Sequence, residues 1–247
     1  MVYNKIMSGH SKWATIKRAK GATDAKRGQL FTKIAGTISI AVKQGASVDP
    51  DANPRLRLAI DKAKAANMPK ESIDRAIQRG SGGNGDAVLE EVVYEGFGPG
   101  GTAFIVEAVT DKKQRTVAEV KNTFEKNGGS MGTQGSVAYQ FNRVGEIMAK
   151  AGGKSAEQLL EIALESGADD VENEADIAYF YTQPTSLMQV KNELESKGLQ
   201  VEEAEIVYKP ITLISSSDHQ GKVEELMQKF EDLDDVQRVY TNFEFSV

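Results

Sequence analysis

A chain of 247 residues with 40% hydrophobic and 27% charged residues has the make-up of globular domains, two or three at this length, which excludes a fibrous or wholly disordered chain. The lack of cysteine excludes disulfides, thiolate catalysis and Cys-ligated metal. A net charge of −6 hides a division: residues 1–80 hold 16 Lys and Arg against 6 Asp and Glu, net +10, and the rest hold 14 against 30, net −16.

The basic end is an electrostatic footprint for a polyanion, and the acidic remainder would repel the same partner. The opening Met-Val-Tyr-Asn-Lys-Ile has too short an apolar run for a signal peptide. No stretch approaches the roughly 18 to 20 apolar residues of a membrane span, so the expected location is the cytoplasm. Residues 8–27, SGHSKWATIKRAKGATDAKR, carry six cations and little apolar periodicity, which predicts an arm that is mobile or ordered by its partner. Within it Trp13, between Lys12 and Lys17, serves either to stack on an unpaired base or to anchor the arm to the helices after it.

A helix is predicted from about Asp24 to Lys43, where Leu30, Ile34, Ile38 and Ala41/Val42 recur at helical spacing and Gly45 supplies a stop. Asn53 can cap a second helix with Pro54 in its first turn, and Asn67 with Pro69 closes it. A third runs from about Pro69 to Arg79 with Ile73 and Ile77 one turn apart, completing a small bundle. On the second helix Leu56, Ala59, Ile60 and Ala63 share one arc, flanked by Arg55/Lys62 and Arg57/Lys64. Each such cation can simply border a buried stripe, its stem on apolar surface and its charge in water. As a set they belong with the other cations of a unit that has few carboxylates to pair them. The residues assigned to nucleic acid are Lys12, Trp13, Lys17, Arg18, Lys20, Lys26, Arg27, Lys33, Arg55, Arg57, Lys62, Lys64, Lys70, Arg75 and Arg79.

GSGGNG at 80–85 reads as a flexible hinge, and EEVVYEGFGPGGTAFIVEAVT as two strands joined by a glycine-rich turn. Asp111 can cap a helix that buries Val117, Val120 and Phe124 and stops at Asn127-Gly128-Gly129. SVAYQF is strand-like. A self-contained series comes next: strand GEIMAK, helix Ser155 to Ser166, a short strand near Asp170 to Glu172, strand ADIAYFYT, a helix opened by Pro184, and extended QVEEAEIVYK. This is the β-α-β-β-α-β order of a ferredoxin-like unit. The tail, strand ITLIS, a helix from about Asp218 to Phe230 and strand VQRVYTNFEF, has no complete core of its own and would complete the elements of residues 86–130. The expected fold is α+β and multidomain: a basic arm plus three-helix bundle (1–80), a discontinuous α+β middle domain (81–134 and 209–247) and an inserted ferredoxin-like domain (135–208).

Two runs satisfy G-x-G-x-x-G, Gly80/Gly82/Gly85 and Gly96/Gly98/Gly101, but neither lies between a strand and a helix as a dinucleotide site requires. The loop Gly96, Gly98, Pro99, Gly100 and Gly101 is either a tight turn or an exposed loop that lets backbone approach a ligand. Two histidines, His10 and His219, give a metal site or nucleophilic triad almost nothing to build from. The carboxylates at Asp169, Asp170, Glu172, Glu174 and Asp176, and at Glu231, Asp232, Asp234 and Asp235, read as solvated turns. No enzyme, cofactor or metal is expected.

SGHSKW at 8–13, DAKRG at 24–28, FTK at 31–33, DPDANPRLRLAIDKAKAANMPKESIDRAIQRG at 49–80, YEGFGPGG at 94–101, RTVAEV at 115–120, KNGG at 126–129 and GSVAY at 135–139 closely resemble the YebC/PmpR family, as does DVQRVYTNF near the end. Six residues precede Met7, where that family usually begins, and Ala19 dilutes its basic run in Lys17-Arg18-Ala19-Lys20-Gly21. The resemblance implies three domains, a helical one and two α+β ones with a ferredoxin-like insertion. It also implies a DNA-binding transcriptional regulator or, as for the mitochondrial translational activator of cytochrome oxidase, a ribosome-associated RNA-binding translation factor. Phosphate contacts are sequence-blind, and no base-reading helix decides between these. A protein-interaction module working through the acidic domains, on the ribosome or another protein, is the alternative of another class.

Overall fold

The computed structural model describes residues 24–82 and 89–245, with 24–26 by backbone alone. Helix α1 (Asp24–Gly45), α2 (Pro54–Ala65) and α3 (Lys70–Gly80) form the predicted bundle. Its core is Ile34, Ile38, Ala41 and Val42 against Leu56, Ala59, Ala63, Met68, Ile73 and Ala76. Helix begins at Asp24, so Arg27, expected in the arm, lies on α1. Leu30, expected in the stripe, is 42% exposed, and partly buried Phe31 packs against the core instead. The α1–α3 crossing is close: a Cβ at Gly80 would meet Val42 at 2.8 Å, and the buried Ser39 hydroxyl donates to the Ala76 carbonyl at 2.8 Å.

Strands β1 (Glu90–Phe97) and β2 (Ala103–Thr110), helix α4 (Lys113–Lys126) and strand β3 (Ser130–Met131) begin the middle domain. Strand β4 (Phe141–Lys150), helix α5 (Ala156–Ser166), strands β5 (Asp170–Glu174) and β6 (Ile177–Thr182), helix α6 (Leu187–Ser196) and strand β7 (Gln200–Pro210) make the insertion. Helix α7 (Gln220–Glu231) and strand β8 (Val236–Thr241) then return to the middle domain. Its sheet has the order β3-β1-β2-β8, so the last strand pairs with a partner about 130 residues earlier, Ile105 opposite Tyr240. Phe104 of β2, Phe124 of α4 and Phe230 of α7 meet at centroid distances of 6.1, 6.2 and 4.6 Å. The inserted sheet has the order β5-β6-β4-β7, the interleaving of a ferredoxin-like unit. The fold is therefore α+β and multidomain, with a discontinuous middle domain.

Residues 142–209 form one compact unit; 24–82, 89–141 and 210–245 form the other. In the second unit α1 lies on β2 and β8, where Gly36 leaves room for Val109 and the Thr37 hydroxyl bonds Gln237. This explains why every residue from Ile38 to Val42 is buried: α1 has the bundle on one side and the sheet on the other. Of the expected hinge at 80–85, Gly80 ends α3 and Ser81 follows it, and 83–85 lie outside the described residues.

Several local expectations change. Lys112, not Asp111, precedes α4, and Asp111 pairs with Arg115 at 3.0 Å. SVAYQF is not a strand: Ala138–Gln140 is a 3-10 turn, and β4 starts at Phe141. ITLIS contributes a single bridge, Ile214 to Phe243. The carboxylate runs are not merely solvated. Glu172 is buried and takes the Lys209 ammonium at 2.8 Å. Asp235 accepts from Thr116 at 2.6 Å, Thr110 at 3.1 Å and Arg115 at 2.9 Å; burial would raise its pKa, and these partners bring it below the ordinary value.

Glu95, 5% exposed, is a further buried carboxylate, and it holds the segment that leads into β4. Its oxygens accept the backbone N–H groups of Gly135 at 2.7 Å and of Val137 and Ala138, each at 2.8 Å. Burial would raise the Glu95 pKa, but the three donors hold it below the ordinary 4.5. The clamp is therefore complete above about pH 4.5 and is lost as pH falls through the depressed folded value. In Glu95→Gln an amide NH2 faces these donors and leaves at least one buried N–H unpaired, at a cost of about 1 to 3 kcal/mol. Hydrogen exchange should show the Val137 and Ala138 amides losing protection in the variant at neutral pH, and in the parent only in acid.

Candidate nucleic-acid interface

The second helix is set by a buried cap. Asn53 accepts the Leu56 N–H at 3.1 Å, and its amide donates to the carbonyls of Ala41 at 2.8 Å and Ser47 at 3.1 Å, which ties the start of α2 to the end of α1. Pro54 occupies the first turn, where its missing N–H costs nothing. At the other end Asn67 takes φ 56°, a left-handed turn that asparagine tolerates, and α3 starts three residues on. The turn places Lys64 and Lys70 at the same end of the bundle. Arg79 stands about 14 Å farther along α3 at 1.5 Å per residue.

The predicted cations divide by what they touch. Arg55 pairs with Glu91 of β1 and bonds Gln44. Arg57 donates to the Pro50 carbonyl at 3.1 Å and pairs with Asp51 at 2.9 Å. Lys33 donates to the Glu231 carbonyl at 2.6 Å, placing a cation at the negative end of the α7 dipole. These three help join the bundle to the rest of its unit or to its own loops. Lys62 is half-buried and engaged. Arg75 is exposed but folds back on the Glu71 carbonyl and Ser72 hydroxyl, both at 3.2 Å. Arg27 is exposed, its guanidinium 5.6 Å from the Phe31 ring. Lys64, Lys70 and Arg79 are exposed, and their side chains have no hydrogen bond or ion pair with the described residues. Lys12, Trp13, Lys17, Arg18 and Lys20 lie outside the described residues, and Lys26 is placed on α1 by its backbone alone.

Sequence reasoning missed Lys43, which donates to the Leu89 carbonyl at 2.9 Å just before β1. A lone lysine near the end of a helix carries no signal for a carbonyl 46 residues later.

The glycine loop joins β1 to β2. Gly98 and Pro99 are buried and Gly100 and Gly101 exposed, with φ of 73° and 75° at the latter pair. The turn closes on itself through Gly98 N–H to Thr102 carbonyl at 2.8 Å and Thr102 hydroxyl to Pro99 carbonyl at 3.0 Å. Gly96 and Gly100 also meet packing requirements: a Cβ at Gly96 would meet Phe124 at 2.6 Å, and one at Gly100 would strike the His219 ring. Among the described residues no group of three or more His, Cys, Asp or Glu is placed to hold a metal ion, and no helix is long and apolar enough to cross a membrane.

The chain matches known proteins over most of its length. Residues 11–83 match the model of the TACO1/YebC protein N-terminal domain, and residues 89–243 that of the TACO1/YebC second and third domain. The chain belongs to the TACO1/YebC family. Relatives within it include a probable transcriptional regulatory protein of Trichlorobacter lovleyi, 50% identical over 97% of both chains. Another of that name from Treponema denticola is 50% identical over 96% of both. A crystal structure of a conserved hypothetical protein from Aquifex aeolicus is similar at a TM-score of 0.84 and 45% identity, covering 91% of this chain and 93% of that one. In TACO1/YebC terms, the bundle with Lys64, Lys70 and Arg79 is the N-terminal domain.

Proposed function

We propose that this chain is a non-enzymatic regulator of gene expression that binds nucleic acid through its cationic bundle and the basic arm before it, in the manner of a DNA-binding transcriptional regulator. The observation that carries this reading is the trio Lys64, Lys70 and Arg79, exposed and unspent on a bundle whose other described cations are largely engaged within the chain. Long charged side chains held free at two ends of a rigid element suit phosphates, which position a protein without reading sequence. The names of its relatives, probable transcriptional regulatory proteins, support the same class. The protein works in the cytoplasm, without cofactor, and its acidic domains direct it to a partner or position.

One observation favours a second reading, an RNA-binding translation factor on the ribosome. Glu71 and Asp74 are exposed on α3 beside Arg75 and Arg79, and carboxylates on that arc oppose entry of the helix into a major groove. Backbone contact with folded RNA carries no such penalty. Crosslinking in cells followed by sequencing of bound DNA and RNA separates the two. Discrete promoter peaks are the expected result for the transcriptional reading; ribosomal RNA in their place would overturn it in favour of the translational one.

A further inference from the structure

Helix α5 of the inserted unit carries Leu160 and Leu164 one turn apart, 50% and 71% exposed. It is well built, with Ser155 and Gln158 forming a reciprocal cap and Gly167 ending it at φ 79°. Its buried stripe is Leu159, Ala163 and Ser166. At about 100° per residue the two leucines fall outside that stripe, and Glu157, Glu161 and Glu165, all exposed, continue the arc beyond them. Glu165 pairs with Lys197, just past α6, at 2.6 Å, which fixes the flank of α5 that faces α6. The leucines occupy the other flank, toward β5, the edge strand on which α5 packs.

Single exposed leucines need no explanation. Leu160 and Leu164 are different because, among the described residues, they are the one pair of exposed large hydrophobics stacked on a single helix. The border decides what can cover them. Glu157 and Glu161 repel nucleic acid, and a symmetric pairing with a second copy would set the same glutamates against each other. An occupant with apolar side chains one turn apart and lysine or arginine beside them satisfies both parts of the surface.

We propose that this face docks a cationic amphipathic helix of a protein partner, its apolar residues on Leu160 and Leu164 and its cations opposite Glu157 and Glu161. The probe is a labelled synthetic helix of about 15 to 18 residues, with leucines at i and i+4 flanked by lysines, titrated into the full chain by fluorescence anisotropy. L160S/L164S should weaken its binding about 10-fold, as should E157K/E161K, while the same peptide with glutamate for lysine does not bind. Leu160 and Leu164 are exposed, so L160S/L164S should melt at the parent temperature, which separates lost docking from lost fold; E157K/E161K also removes the acidic residue of the first turn of α5 and should melt slightly lower. Equal binding by the parent and L160S/L164S would overturn the proposal. In cells, a photocrosslinker at position 164 should capture a segment of that composition in a protein that L160S no longer retains; crosslinks to a second copy or to nucleic acid would overturn it.

Discussion

Replacing Lys64, Lys70 and Arg79 together by glutamate should weaken nucleic-acid binding by about 100-fold at 0.1 M salt, taking about 1 kcal/mol or more for each charge-assisted hydrogen bond to phosphate that is removed. All three are exposed and none anchors the fold; Lys64 and Arg79 stand in the last turns of α2 and α3, so their reversal should lower stability by no more than about 1 to 2 kcal/mol. Neutralising Arg55 and Arg57 to glutamine is the informative contrast. Those side chains already face Glu91 and Asp51, and their pairs, partly open to water, are worth about 1 kcal/mol or less to stability. Their loss should therefore cost much less binding than the loss of the free trio, although all five positions look alike in composition. Anisotropy titrations of labelled duplex DNA and folded RNA compare the two variants directly. Equal losses would mean that the partnered arginines leave Glu91 and Asp51 to meet phosphate.

Phe230→Ala should destabilise the bundle-and-sheet unit by about 3 to 5 kcal/mol, a large part of an ordinary domain's stability. Phe230 is fully buried and touches Phe104 and Phe124, so its removal opens a cavity where the returning segment meets the elements laid down before the insertion. The aromatic geometry adds to the area term, since the 4.6 Å approach to Phe124 is edge-on at 66°. Chemical denaturation should show a lower midpoint with little change in slope, and hydrogen exchange should show the β1 and β2 amides losing protection. Unchanged β2 protection would mean that α7 is not an integral part of this core.

The helices of the bundle and the ferredoxin-like order were legible because their signals are local. Asn53-Pro54, Asn67 with Pro69 and the i, i+4 apolar stripe each act within a few residues, and the structure uses them as caps, turns and core. The discontinuous middle domain was legible by subtraction: ITLIS to the end has too few elements to bury a face alone. Division of the cations into free and engaged was not legible. Lys33 meets the Glu231 carbonyl across 198 positions, and Arg55 meets Glu91 across 36. No periodicity carries pairings of that length, and they arise only once α1 is laid on the sheet. Glu95 and Asp235 were opaque for the same reason. A carboxylate in a strand or a turn reads as solvated until the backbone N–H groups or hydroxyls that surround it are known.

The division of charge along the chain acquires a definite form in the structure, with three exposed cations free on the bundle and others engaged, Arg55 on Glu91 of β1 and Lys33 at the end of α7. The most direct test of that assignment is the salt dependence of nucleic-acid binding by the full chain, parent against K64E/K70E/R79E, from about 50 to 200 mM salt. The parent should give a straight log–log decline of about 0.9 per phosphate neutralised, and the variant a slope shallower by about 2 to 3. Parallel lines for the two proteins would contradict it.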